Sequence, residues 1–199
     1  MWDKRYSGES YAYGTEPNDF LREQADNLPI GDTLCLGEGE GRNAVFLAGL
    51  GHKVTALDAS ATGLEKAQKL AAERGAKIDT IHADLAKYEL EANRWDVIVS
   101  IYCHLPPPLR MRVHGQIAQS LRPGGIFILE AFTPRQLEFK TGGPPVVEMM
   151  MNLEGLRREL TGLEFDVGQE TVREVQEGTH HNGTSAVVQL VAHKRMTAG

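Results

Sequence analysis

The sequence predicts a doubly wound α/β fold, with a mostly parallel sheet of seven strands closed by an antiparallel C-terminal hairpin. Three observations carry this expectation. Short apolar runs alternate with longer stretches of helical periodicity through the first two thirds of the chain, the rhythm of successive βαβ units. The first apolar run ends in Gly37-Glu38-Gly39-Glu40-Gly41 and opens directly into a helical pattern, as a strand does when its turn must approach a ligand closely. The last two runs, 164–175 and 184–193, flank a turn at 178–183 and read as an antiparallel pair.

Each element follows in order. Residues 17–28 place Phe20, Leu21 and Ala25 at helical spacing behind Asn18 or Asp19, either of which can cap. Strand 1 is 33–36, and a helix at 43–50 follows the glycine loop until Gly51 ends it. Strand 2 is 53–57. A helix over 61–74, with Leu64, Ala67, Leu70 and Ala71 on one side, stops at Gly75 and leads to strand 3 at 77–82. Strand 4 is 95–101, after which Pro106 to Pro108 break the chain before a helix at 109–121. Pro123-Gly124-Gly125 precede strand 5 at 126–130. Residues 133–151 are irregular, rich in Gly, Pro and Met, and longer than an ordinary connection; insertions of that kind often carry function. A short helix at 153–160 precedes the hairpin.

Composition narrows the function. With 41% hydrophobic and 24% charged residues the chain is an ordinary globular protein, and its 199 residues suffice for one core but not for two separate domains. A net charge of -6 argues against a surface built to hold nucleic acid. Cys35 and Cys103 have no metal-ligand spacing around them and read as reduced thiols. The polar start Met1 to Arg5 and the absence of a long apolar run point to a cytoplasmic protein with no membrane segment. His180 and His181 are adjacent in an extended segment and point to opposite sides, so no metal site is expected there.

The chemistry lies in an ordered series. Asp58 stands at the end of strand 2, 21 residues after Gly37 (58 − 37), where a carboxylate can accept both hydroxyls of a ribose. Ala83-Asp84-Leu85 follow strand 3, Asp96 begins strand 4, and Leu121-Arg122-Pro123-Gly124-Gly125 precede strand 5. The series closely resembles the class I, Rossmann-like S-adenosylmethionine-dependent methyltransferases over roughly residues 30–130. That resemblance implies S-adenosylmethionine as methyl donor and S-adenosylhomocysteine as product. Gly37, Gly39 and Gly41 would line the methionine and ribose portions, Asp58 would bind the ribose, and Ala83 and Asp84 would meet the adenine. Asp96 reads as structural. The chain then divides into a cap segment and helix at 1–30, a cofactor core at 31–130, and an acceptor-side insertion with hairpin at 131–199.

Two departures stand out. The family usually has an acidic residue two positions before the first glycine, where this chain has Cys35. Glu38 stands inside the loop, either serving the donor's ammonium group or as a solvated charge. The run from Tyr11 to Asn18 resembles the entry segment of small-molecule methyltransferases of the tellurite-resistance and thiopurine type. In those enzymes it folds over cofactor and acceptor, which implies Tyr13 and Gly14 at the sulfonium and Tyr13 in a catalytic role.

His104, just beyond strand 4, reads as a general base or as a capping or cofactor-contacting residue. Arg135, Phe139, Lys140, Thr141, Gly142, Gly143 and the Met149 to Met151 run lie on the expected acceptor side, where methionines serve as pocket walls or as core filling. The reading is a methyltransferase for a small-molecule acceptor. A donor-binding protein without turnover and an NAD-dependent oxidoreductase are the alternatives, and the closing hairpin argues against the latter.

Overall fold

Alternation along each strand sets the two faces of the sheet. In β1 (Asp32–Leu36), Cys35 faces one side with Val54, Ala56, Val97 and Val99, while Leu34 and Leu36 face the other with Leu57, Ile98, Phe127 and Leu129. A computed structural model describes residues 2–178 and 181–196; His180 lies outside the described residues.

The first face is covered by α2 (Asp19–Gln24), α3 (Arg42–Gly49) and α4 (Ala61–Glu73), which contribute Phe20, Leu21, Ala44, Leu47, Leu64, Ala67 and Leu70. The second is covered by α5 (Pro107–Ser120) and α6 (Leu153–Glu159), through Val113, Ile117, Leu156 and the adjoining Leu160. A preceding short helix, α1 (Trp2–Tyr6), was not foreseen in the sequence.

The remaining strands are β2 (Lys53–Asp58), β3 (Ile78–His82), β4 (Trp95–Ile101), β5 (Leu121–Phe132), β6 (Leu163–Glu177) and β7 (His181–Lys194). Their order is β3-β2-β1-β4-β5-β7-β6. The first five are parallel, and β7 inserts antiparallel between β5 and β6. This is the mostly parallel seven-stranded sheet with an antiparallel hairpin that the sequence predicts.

Several boundaries move, β5 beginning at Leu121 rather than at 126 and β7 at His181 rather than at 184 among them, and two of the shifts have a plain physical reason. Helix α5 starts at Pro107 rather than at 109, because proline is tolerated in a first turn whose N–H groups have no helical partner. Strand β5 continues past Glu130, since Ala131 and Phe132 still pair with Val188 and Val187.

Asp96 is structural, as read: its carboxylate accepts the Asp32 N–H at 2.8 Å and pairs with Arg122 at 2.6 Å. Gly41 shows what holds α3 to α4. It has φ +91°, and a β carbon there would lie 2.5 Å from Ala67 Cβ and 2.7 Å from its Cα. Gly41→Ala is therefore expected to lower stability by about 1–3 kcal/mol, through strain and forced separation of the helices. Urea denaturation measures it, and a loss under a few tenths would show that the helices part freely.

Candidate active site

The order of strands reverses between β1 and β4, and ligands of such sheets bind outside the carboxyl ends of the strands at that point. Two segments meet there, the glycine loop after β1 and the Tyr102–His104 turn after β4. Gly37 and Gly39 hold φ +59° and +62°. A β carbon on Gly37 would lie 2.8 Å from Cys103 Sγ, and one on Gly39 would lie 2.6 Å from the Tyr6 hydroxyl. The loop thus needs glycine both for its turn and for its neighbours.

Asp58 sits beside this loop, almost buried. Its Oδ2 accepts the Gly39 N–H at 2.8 Å and its Oδ1 the Ser60 N–H at 2.7 Å. Burial pushes its carboxyl above the usual range even though these donors favour the charged form. A carboxylate has about four lone-pair sites, so it retains capacity for hydroxyl donors. The Ala83 N–H donates to the Asp58 carbonyl at 3.0 Å. Asp84 is exposed and accepts the Ala86 N–H at 2.8 Å. A loop that turns on three positive-φ glycines, beside a carboxylate with spare acceptor sites, fits an adenosyl donor.

Glu38 is not a solvated charge. Its Oε1 accepts the Asn43 and Ala44 N–H groups at 3.0 and 2.8 Å, so the carboxylate caps the start of α3. Burial pushes it up to about 7. Cys35 is buried in the strand core and its thiol is pushed up by that burial. Cys103 is pushed up to about 12, also by burial.

The N-terminal segment lies over the loop. Asp3 accepts from Ser60 Oγ at 2.6 Å. Lys66 Nζ donates to the carbonyls of Gly8 and Ser10 at 3.0 and 2.7 Å and pairs with Glu40, whose Oε2 accepts the Ala12 N–H at 2.7 Å. Tyr13 takes a hydrogen bond from Arg5 at 3.0 Å, and its ring lies 4.6 Å from that of His181. Gly14 and Gly178 have φ +74° and +62°, and a β carbon on Gly178 would lie 2.5 Å from the Ala12 carbonyl. The strap and the hairpin tip meet there.

His104 is placed differently from a general base. Its Nδ1 lies 3.1 Å from the Tyr102 carbonyl, which can only accept, and its Nε2 accepts the Phe132 N–H at 3.1 Å. The single lone pair of the neutral ring is therefore committed, and burial pulls the group down to about 4. His104 clamps β4 to β5, correcting the expectation of a base. Its ring, with Tyr102, Phe132 and His181, forms an aromatic cluster with centroid separations of 4.5–6.3 Å.

Of the insertion, Thr141 donates to the Thr184 carbonyl at 2.6 Å, and Arg135 is exposed, with its guanidinium over Phe139. Met151 is buried in the core with its N–H on the Phe132 carbonyl. Lys140, Gly142 and Gly143 adopt positive φ, turning the chain there.

Sequence reasoning missed a buried polar network behind these rings. Glu130 accepts from Tyr102, Asn18, Arg173 and Gln189, and Glu177 accepts from Asn18 and Arg42. Burial alone would raise Glu177, but His181, Arg42 and Asn18 outweigh it and hold it at about 2. The available signal was a lone carboxylate and a lone amide, Glu130 and Gln189, within apolar strands.

Residues 33–125 match the family model described as a methyltransferase domain. A 2-heptyl-1-hydroxyquinolin-4(1H)-one methyltransferase of Mycobacteroides abscessus is 28% identical over 161 residues, covering 74% of this chain and 71% of that protein. Among solved structures, one concerned with conversion of a disulfide bond into a thioacetal group during echinomycin biosynthesis superposes with a TM-score of 0.79. It is 20% identical and covers all of this chain and 92% of its own. TehB from Haemophilus influenzae superposes with 0.72, at 18% identity, over 98% of this chain and 66% of its own. These structural likenesses carry the fold.

The sheet order, the glycine loop at the switch point and the matched model together define a class I, Rossmann-like methyltransferase fold. The chain is an S-adenosylmethionine-dependent methyltransferase.

Proposed function

We propose that the chain methylates a small, flat, hydroxylated aromatic acceptor in the cytoplasm. The observation that carries this is the set of rings beside the donor loop. Tyr13 and Tyr102 lie against His181, and Tyr102 stacks on Phe132 at 4.5 Å, one residue before the Cys103 that touches Gly37. Aromatic walls favour a planar acceptor through stacking and edge contacts. The relative named for a hydroxyquinolone supports the same class. Two free cysteines, and no helix among the described residues long and apolar enough to cross a membrane, support the location.

S-adenosylmethionine supplies a methyl group on a positively charged sulfur, an electrophile for which alignment of the acceptor provides much of the rate. The acceptor oxygen forms its bond to the methyl carbon as the carbon–sulfur bond breaks, the electron pair returns to sulfur, and the acceptor's proton leaves to water. In this proposal Gly37, Gly39 and Gly41 shape the loop around the methionine and ribose, with Glu38 capping α3 behind it. Asp58 takes the ribose hydroxyls, and Ala83 and Asp84 border the adenine. Tyr13 and Gly14 roof the sulfonium, and the whole chain works as one domain.

Calorimetric titration with S-adenosylmethionine, S-adenosylhomocysteine and NAD, followed by a methyl-transfer assay with 2-heptyl-1-hydroxyquinolin-4(1H)-one, a simple thiol and tellurite, tests it. Binding of the first two and turnover of the quinolone are expected. Binding of NAD alone removes the donor assignment, and turnover of thiol or tellurite alone removes the acceptor class.

A further inference from the structure

Glu130 is fully buried near the end of β5, where packing alone would favour an apolar residue. It grips Tyr102 twice: its carbonyl accepts the Tyr102 N–H at 2.8 Å, and its Oε1 accepts the Tyr102 hydroxyl at 2.7 Å. Tyr102 holds φ +53°, a conformation that an aromatic residue adopts only where surrounding contacts over-determine it. The next residue, Cys103, places Sγ against Gly37. One line of contacts therefore runs from Glu130 to the first glycine of the donor loop.

A second line reaches the other end of the loop. Asn18 Nδ2 donates to Glu130 Oε1 at 2.7 Å and to Glu177 Oε1 at 2.9 Å, and Glu177 Oε2 accepts from Arg42 Nη2 at 2.7 Å. The Asn18 N–H also donates to Asn43 Oδ1 at 2.9 Å. Arg42 and Asn43 directly follow Gly41. The segment Gly37–Gly41, whose glycines have the most backbone freedom to lose, is thus fastened at both ends to one carboxylate.

We propose that Glu130 is a positioning residue for the methyl donor: through Tyr102–Cys103 at one end and Asn18–Glu177–Arg42 at the other, it pre-organises the glycine loop. It touches neither donor nor acceptor. A loop already held in its binding conformation loses less freedom when the ligand arrives, so the tether acts on donor affinity and not only on folding. Asn18 belongs to the segment that continues the N-terminal strap, and Arg173 and Gln189, on the hairpin, bond to the same carboxylate. The tether therefore couples the strap and the hairpin to the loop as well. The proposal rests on the donor assignment above.

The test is calorimetric titration of S-adenosylhomocysteine into the wild type, Glu130→Gln and Tyr102→Phe, with the thermal midpoint of each. Arg110→Met serves as a control because Arg110 belongs to a different buried ion cluster, with Glu159 at 2.9 Å. Glu130→Gln and Tyr102→Phe are expected to raise Kd about tenfold, while Arg110→Met lowers the midpoint and leaves Kd unchanged. Falling midpoints with unchanged Kd in both tether variants would reduce Glu130 to a structural group and overturn the proposal. So would an equal rise in Kd for Arg110→Met, which would mark general loosening. If Glu130→Gln does not fold, Tyr102→Phe decides alone, since it keeps the ring and removes only the hydroxyl. Failure of the wild type to bind S-adenosylhomocysteine overturns the donor assignment itself, an outcome separate from the others, and the tether falls with it.

Discussion

Asp58→Ala is expected to weaken S-adenosylmethionine binding by about 1–3 kcal/mol, the usual consequence of losing a hydrogen-bonding carboxylate, which is a roughly 5- to 150-fold rise in Kd. The upper part of that range is favoured because the carboxylate acts on the donor site in two ways. In the proposed donor site it would offer acceptor sites for the ribose hydroxyls, and it holds the Gly39 N–H at 2.8 Å, so its loss also releases the middle of the loop. Asp58→Asn separates the two contributions. An amide oxygen can still accept the Gly39 N–H, yet it lacks the charge that strengthens bonds from two hydroxyls. Calorimetric titration of both variants, with the urea midpoint as a check on folding, measures the effect. An unchanged affinity in Asp58→Ala would place the ribose elsewhere and remove β2 from the donor site.

The glycine loop, the acid beside it and the strands that carry them were legible in the sequence because they are written in local signals. Glycines that a strand-to-helix turn demands, an acid at the end of the next strand and apolar runs of strand length all fall within short windows, and each run of βαβ follows the last. The antiparallel pairing of the last two strands was legible in their alternation, but the placing of β7 between β5 and β6 depends on pairing with a strand more than fifty residues away and was not. Polar contacts between distant segments were illegible. Asn18 and Glu177 are separated by 159 positions, yet they share a hydrogen bond at 2.9 Å. His104 read as a base or as a capping or cofactor-contacting residue because an isolated histidine shows its pKa and not its partners; only folding brings the Phe132 N–H onto its lone pair. Glu38 read as solvated or ligand-binding because the turn that folds it back onto α3 depends on three positive-φ glycines acting together. The strap is a middle case. Its aromatic content announced that it packs on something, but Lys66, the cation that fastens it, is indistinguishable in sequence from the exposed Lys69 one turn later.

Arg173→Met is expected to destabilise the fold by about 3–5 kcal/mol, the cost of stranding one member of a buried ion pair. Arg173 lies on β6 with its side chain 17% exposed, while its partner Glu130 has none exposed. The guanidinium donates to both Glu130 oxygens, at 2.6 Å from Nη2 and 3.2 Å from Nε, and reaches Asp19 at 3.2 Å. Tyr102, Asn18 and Gln189 would still donate to Glu130 in the variant, but neutral donors leave its charge uncompensated. Against a total stability of roughly 5–15 kcal/mol for a domain, that loss decides whether the chain stays folded on warming. Urea denaturation of Arg173→Met, of Glu130→Gln and of the double variant forms a cycle that isolates the pair. The double variant is expected to be more stable than the sum of the single losses allows, because removing both charges leaves neither stranded. Strictly additive losses, or a loss below about 1 kcal/mol for Arg173→Met, would mean that water reaches the pair and that the hairpin is fastened to β5 by its backbone ladder alone.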